Sequence, residues 1–161
     1  MIYREDKTNK KITVKKRTWF GVEGVVEISQ NFFHKAGIGK VIIPHPPVVN
    51  RLLRLGLNRD DKNSLSITHE FGHLQTFPQL VIYFLLISYL AVIQGGTSWL
   101  EIVLLLISIH SVWEIMAELF TITSSGYQYR LFYKEVSVIP RIIFWTITIL
   151  FSIGGWVLLF R

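Results

Sequence analysis

The chain has 161 residues, half of them hydrophobic, no cysteine, and 17 Lys+Arg against 11 Asp+Glu, for a net charge of +6. The length suits one domain, and a mean hydropathy of +0.40 is too high for an ordinary soluble one. This excludes a soluble α/β enzyme, a disordered chain and a disulfide-stapled secreted module; without cysteine there is no thiolate metal site and no cysteine nucleophile.

The chain opens on MIYREDKTNKKITVKKR, charged and mixed in sign. No apolar run follows it, so no cleavable signal peptide is expected. Residues 1–63 read as a small basic α+β region, which holds most of the Lys and Arg. ITVKK and VEGVVEIS alternate apolar and polar residues, as half-buried strands do. Val41-Ile42-Ile43 is a short apolar run closed by Pro44, and the segment Pro44-His45-Pro46-Pro47 cannot be helical. Val48 to Leu57 reads as a short amphipathic helix with Arg51 and Arg54 on its wet side. His34 and His45 read as loop histidines with no part in catalysis.

From residue 64 the chain reads as a membrane-embedded helical region. Ser64 or Ser66 is positioned to cap a helix through THEFGHLQTF, which Pro78 would kink or interrupt. Three apolar stretches follow, at 77–93, 98–123 and 138–160. The first, at 1.5 Å per residue, gives about 25 Å of helix, near the lower limit for a membrane span. Gln94-Gly95-Gly96-Thr97 reads as a tight turn, and Ser124 to Ser137 as a polar loop. The fold expected is a mainly α membrane protein with about three transmembrane helices. The Lys/Arg bias puts residues 1–65 and 124–137 on the cytoplasmic side of the cell membrane, and 94–98 outside. The basic region then faces anionic lipid headgroups; no nucleic-acid reader motif accompanies it, so no nucleic acid is expected as partner.

His69-Glu70-Phe71-Gly72-His73 contains H-E-x-x-H. On a helix the two histidines share one face and reach one metal ion, while Glu70 can hold the water that the metal activates. The third ligand is sought in the second apolar helix, where His110, Glu114 and Glu118 fall at i, i+4 and i+8. Such groups are expensive in a membrane helix and normally face a partner or cavity. If the turn at 94–97 makes a hairpin, Glu118 is level with His73. Glu114 then lies about 6 Å deeper, and His110 about 12 Å deeper. Depth alone slightly favours Glu118. Tyr127, Tyr129 and Arg130 follow the acidic helix and are the candidates for stabilising a reaction oxyanion, although interfacial Tyr and Arg more often act as anchors.

With both motifs in hand, the chain resembles the gluzincin zinc peptidases, in particular the membrane-bound heat-shock and CAAX-processing protease family. There, an H-E-x-x-H helix is followed by a helix bearing E-x-x-A-D. Glu114-Ile115-Met116-Ala117-Glu118 looks like that second motif, with Glu in place of the Asp. The resemblance implies one zinc ion held by His69, His73 and Glu114. It implies Glu70 as general base, and Glu118 as a carboxylate orienting a ligand histidine. It also implies that the strand at Val41-Ile42-Ile43 pairs with extended substrate. His110, outside that resemblance, either contacts the site or pairs with Glu114 one turn away. The expected function is membrane-embedded zinc endopeptidase activity on peptides or membrane proteins, with the site at the cytoplasmic face. The alternative is a membrane protein that binds zinc as a sensor or structural element and cleaves nothing. Oligomeric state is not legible in the sequence.

Overall fold

In a computed structural model, residues 2–6, 11–29, 33–94, 98–135 and 137–160 are described. Five strands come first: β1 (Ile2–Asp6), β2 (Lys11–Arg17), β3 (Glu23–Ser29), β4 (His34–Ile38) and β5 (Val41–His45). They form an antiparallel meander in the order β1-β2-β3-β4-β5. The β2–β3 register pairs Ile12 with Ile28 and Val14 with Val26, so alternate residues present one apolar face. Pro44 lacks an N–H to donate, and it sits on an edge strand, where that is tolerated.

A short helix α1 (Val48–Leu53) leads into α2 (Arg59–Gln75), α3 (Phe77–Ile93), α4 (Trp99–Glu135) and α5 (Val138–Leu159). The sheet lays its apolar face on α2. Ile12, Val14, Val26 and Ile28 form one buried cluster with Phe71 and Leu74. The β2–β3 turn is pinned to the end of α2, where Trp19 donates its backbone N–H to Gln75 Oε1 (2.8 Å) and its indole N–H to the Gln75 carbonyl (2.7 Å). A second apolar cluster joins Ile87 of α3 to Leu105 and Ile109 of α4.

α4 and α5 are each long and apolar enough to cross a membrane. α2 and α3 pass the same test together, but bend by 51° at their junction. Their outer faces carry exposed Ile82, Leu85, Leu106 and Ile142, the surface expected to meet lipid.

Four expectations need correction or fall away. The motif helix does not begin at Ser64 or Ser66. Its cap is Asn58, whose side chain accepts from the Asp61 N–H at 2.9 Å, and Asp60 and Asp61 in the first turn suit the positive end of the helix dipole. The first two turns are polar, so hydrophobic periodicity did not mark them. Residues 124–135 are helical rather than loop; Gly126, at φ 48°, is the point where α4 breaks its path. Arg54 is not on a wet face but is only 2% exposed. The turn expected at 94–97 falls on Gly95–Thr97, which lie outside the described residues.

α2 and α4 meet at Gly72. A Cβ added there would lie 2.7 Å from the Ala117 carbonyl oxygen and 2.9 Å from its Cα. Only a glycine permits this approach, which brings the H-E-x-x-H face against the acidic stripe. Gly72→Ala is therefore expected to destabilise the protein by about 1–3 kcal/mol. It should weaken metal binding at the same time. Denaturant unfolding in detergent and metal titration check the two effects; unchanged affinity would show that this helix contact does not set the site.

Candidate metal centre

His69 and His73 lie one turn apart on α2, and Glu114 faces them from α4. One ligand atom from each, all within 4.8 Å of one another, makes a group that could hold a metal ion. His69 Nε2 is 3.3 Å from Glu114 Oε2, and His73 Nε2 is 3.5 Å from Glu114 Oε1. Glu114 Oε2 is buried and, although close to His69, has no aligned hydrogen bond. An acceptor left without a donor in a buried pocket is what a cation would satisfy.

His69 is held from behind. Its Nδ1 lies 2.8 Å from Glu118 Oε2. A carboxylate there favours the tautomer that leaves Nε2 with a free lone pair toward the cluster. Glu118 is fully buried and carries three partners: His69, the Tyr129 hydroxyl at 2.5 Å and Arg54 at 3.2 Å. The two carboxylates thus divide the labour between the two faces of the histidines. Glu114 sits with both Nε2 atoms, and Glu118 sits on Nδ1 of His69. Trp113 caps the other side, its ring 4.6 Å from that of His73 and its indole N–H donated to the His73 carbonyl at 3.2 Å.

Glu70 points to the sheet side and is fully buried. Two histidines flank its oxygens. His34 Nδ1 is 3.3 Å from Oε1, and His45 Nε2 is 2.6 Å from Oε2. His34 and His45 are cross-strand partners in the β4–β5 ladder, which places them side by side. Burial alone would push the proton off His45. The close Glu70 carboxylate, helped by the charge of Glu114, outweighs burial and raises its pKa above the usual 6.5.

All five histidines of the chain therefore gather on two glutamates: His34 and His45 on Glu70, and His69, His73 and His110 on Glu114. His110 is the outermost, 3.5 Å from Glu114 and mostly exposed. Tyr129 is brought in, but its hydroxyl goes to Glu118. Tyr127 and Arg130 are exposed. Sequence reasoning missed three residues at the site: His34, His45 and Arg54. The available signal was scarcity. Five histidines in 161 residues, two of them on strands beside the motif, invite the question of what they face.

Comparison with protein-family models, with curated proteins and with solved structures finds no match. The chemistry of the donor set thus carries the functional argument. Two imidazole nitrogens and one carboxylate, buried, in one turn-plus-helix arrangement, suit a divalent transition metal better than magnesium or calcium, which take oxygen ligands.

Proposed function

We propose that this chain is a membrane-embedded, zinc-dependent endopeptidase. The observation that carries the reading is the meeting of His69, His73 and Glu114 beside the buried carboxylate of Glu70. An incidental polar seam between helices has no need for a fully buried acid with a histidine beside each oxygen. His69 Nε2, His73 Nε2 and Glu114 would hold the ion. Zinc, when bound, supplies a Lewis acid that polarises the carbonyl and brings the pKa of a water to about 7.

The chain's own residues do the rest. Glu70 takes a proton from the attacking water as its oxygen bonds to the carbonyl carbon. It then returns that proton to the departing amine as the C–N bond breaks. Glu118 holds the His69 ring in orientation. β5 is the edge strand of the sheet among the described residues, with Val41 and Ile43 exposed, and an extended peptide can be laid on it by strand addition. The basic N-terminal region and the site face the cytoplasm in this reading, by the Lys/Arg bias.

Metal analysis of protein purified in detergent without chelator tests the reading first. One zinc per chain is expected, falling to background in His73→Ala. Cleavage of fluorescein-labelled casein should be lost on chelation and restored by zinc. Stoichiometric zinc with no cleavage would make this a metal-binding membrane protein instead. No zinc at all would leave only a polar helix seam.

A further inference from the structure

We propose that His45 is a catalytic residue of this peptidase: its imidazole N–H stabilises the oxygen of the scissile carbonyl as negative charge develops there. The inference rests on the endopeptidase reading and adds a residue to it. Amide hydrolysis moves the carbonyl π pair onto oxygen as the water's oxygen bonds to carbon. A donor aimed at that oxygen accelerates the step by about 10²–10³-fold.

The described residues leave few donors for the task. The Tyr129 hydroxyl is spent on Glu118 and is buried. Arg54 is buried against the same carboxylate. The Trp113 indole N–H is spent on the His73 carbonyl. Tyr127 is 75% exposed, a surface side chain rather than part of the buried cluster. Among histidines, His34 is closed off, its side chain 8% exposed and set against Glu70 Oε1. His110 touches Glu114 across one turn of its own helix, and no contact among the described residues joins it to Glu70.

His45 differs from all of these. Its side chain is 30% exposed while its Nε2 is buried, so the ring spans from the outside of the site to its interior. Its Nε2 is 2.6 Å from Glu70 Oε2, and its ring is 6.1 Å from that of His73. It therefore stands close to both the base and a metal ligand, beside the place the reacting carbonyl would take. It is also the last residue of β5, the edge strand on which the peptide would lie, so substrate backbone and donor come from one element. Its Nε2, despite the close approach to Glu70, makes no aligned hydrogen bond among the described residues, so the N–H is a donor available to the new oxyanion as that charge appears. The proton bookkeeping closes within Glu70 and the leaving amine; His45 gives a hydrogen bond and keeps its proton.

The test compares His45→Ala and His45→Gln with wild type in detergent, each checked for zinc content and helical circular dichroism. Casein cleavage gives kcat and KM. A cleavage site mapped in casein supplies a parent peptide and a phosphinic pseudopeptide of the same sequence, whose tetrahedral phosphorus mimics the charged transition state. Binding of both is measured by calorimetry, with the parent peptide measured in the Glu70→Gln background. His45→Ala is expected to lose about 10²–10³-fold in kcat and in affinity for the phosphinic peptide. KM and parent-peptide affinity should move little, and His45→Gln, which keeps an N–H, should recover part of the loss. Equal weakening of both ligands would reduce His45 to a binding or structural residue. Unchanged kcat in His45→Ala, with Glu70→Gln still inactive, would overturn the role while leaving the peptidase intact. Loss of kcat in His110→Ala but not in His45→Ala would move the role to His110. A wild-type protein that cleaves no casein and binds no phosphinic peptide would remove both readings together.

Discussion

Glu70→Gln is expected to leave zinc bound at one ion per chain and to abolish peptide cleavage. The amide keeps the shape of the carboxylate, so the packing of α2 against the sheet is preserved. It cannot take a proton from water. General-base catalysis of this kind contributes about 10²–10⁴-fold, and a loss at or beyond that range should appear in kcat with KM nearly constant. None of the three metal-site ligands is changed, since His69, His73 and Glu114 carry that group. Elemental analysis and casein turnover on the same preparation decide the matter. Retained turnover would remove Glu70 from the mechanism, and lost zinc would show that its contacts are structural.

Arg54→Met is expected to be strongly destabilising, because it breaks the buried ion pair that ties the short helix region to α4. Arg54 is 2% exposed, and its one charged contact among the described residues is Glu118 at 3.2 Å. Its Nε and Nη1 are buried without hydrogen-bond partners among the described residues. Removing the cation strands a fully buried carboxylate, and breaking a buried pair from one side costs about 3–5 kcal/mol. Unfolding followed by circular dichroism in detergent measures this. The double variant Arg54→Met with Glu118→Gln should recover much of the stability, because no unpaired charge stays inside. It should still bind zinc about 10–100-fold more weakly, because the His69 ring loses its carboxylate. A single variant as stable as wild type would mean that water reaches the pair.

Much of this was legible in the chain, and the boundary has a physical reason. H-E-x-x-H and the i, i+4, i+8 stripe are local patterns, and a helix converts spacing directly into a shared face. The hairpin arithmetic placed Glu118 level with His73. In the structure Glu118 lies on His69 and Glu114 on both histidines, one helical turn from that estimate. The helix boundaries were harder to read. Asn58 caps α2 ahead of two polar turns, and Gly126 bends α4 without ending it. Hydropathy alone registers neither. β1 and β4 were not expected as strands. HKAGI, the sequence of β4, alternates too weakly to stand out. Without β4 there was no register to pair His34 with His45, and no reason to aim either at Glu70. Arg54 escaped for a similar reason. Its partner is 64 residues away, and a basic residue on a short amphipathic helix reads as solvated until that partner is placed.

The site is also assembled in a fixed order during synthesis. Its parts are spread along the chain as β4 and β5, then α2, then α4. A growing chain presents the two strand histidines and the H-E-x-x-H helix long before Glu114 and Glu118 emerge. Until then it has two of the three residues of the metal group, and His69 lacks the carboxylate that orients it. The group is complete only when α4 closes against Gly72. A product truncated before residue 114 is therefore expected to lack the third residue of the metal group and to bind an ion only weakly.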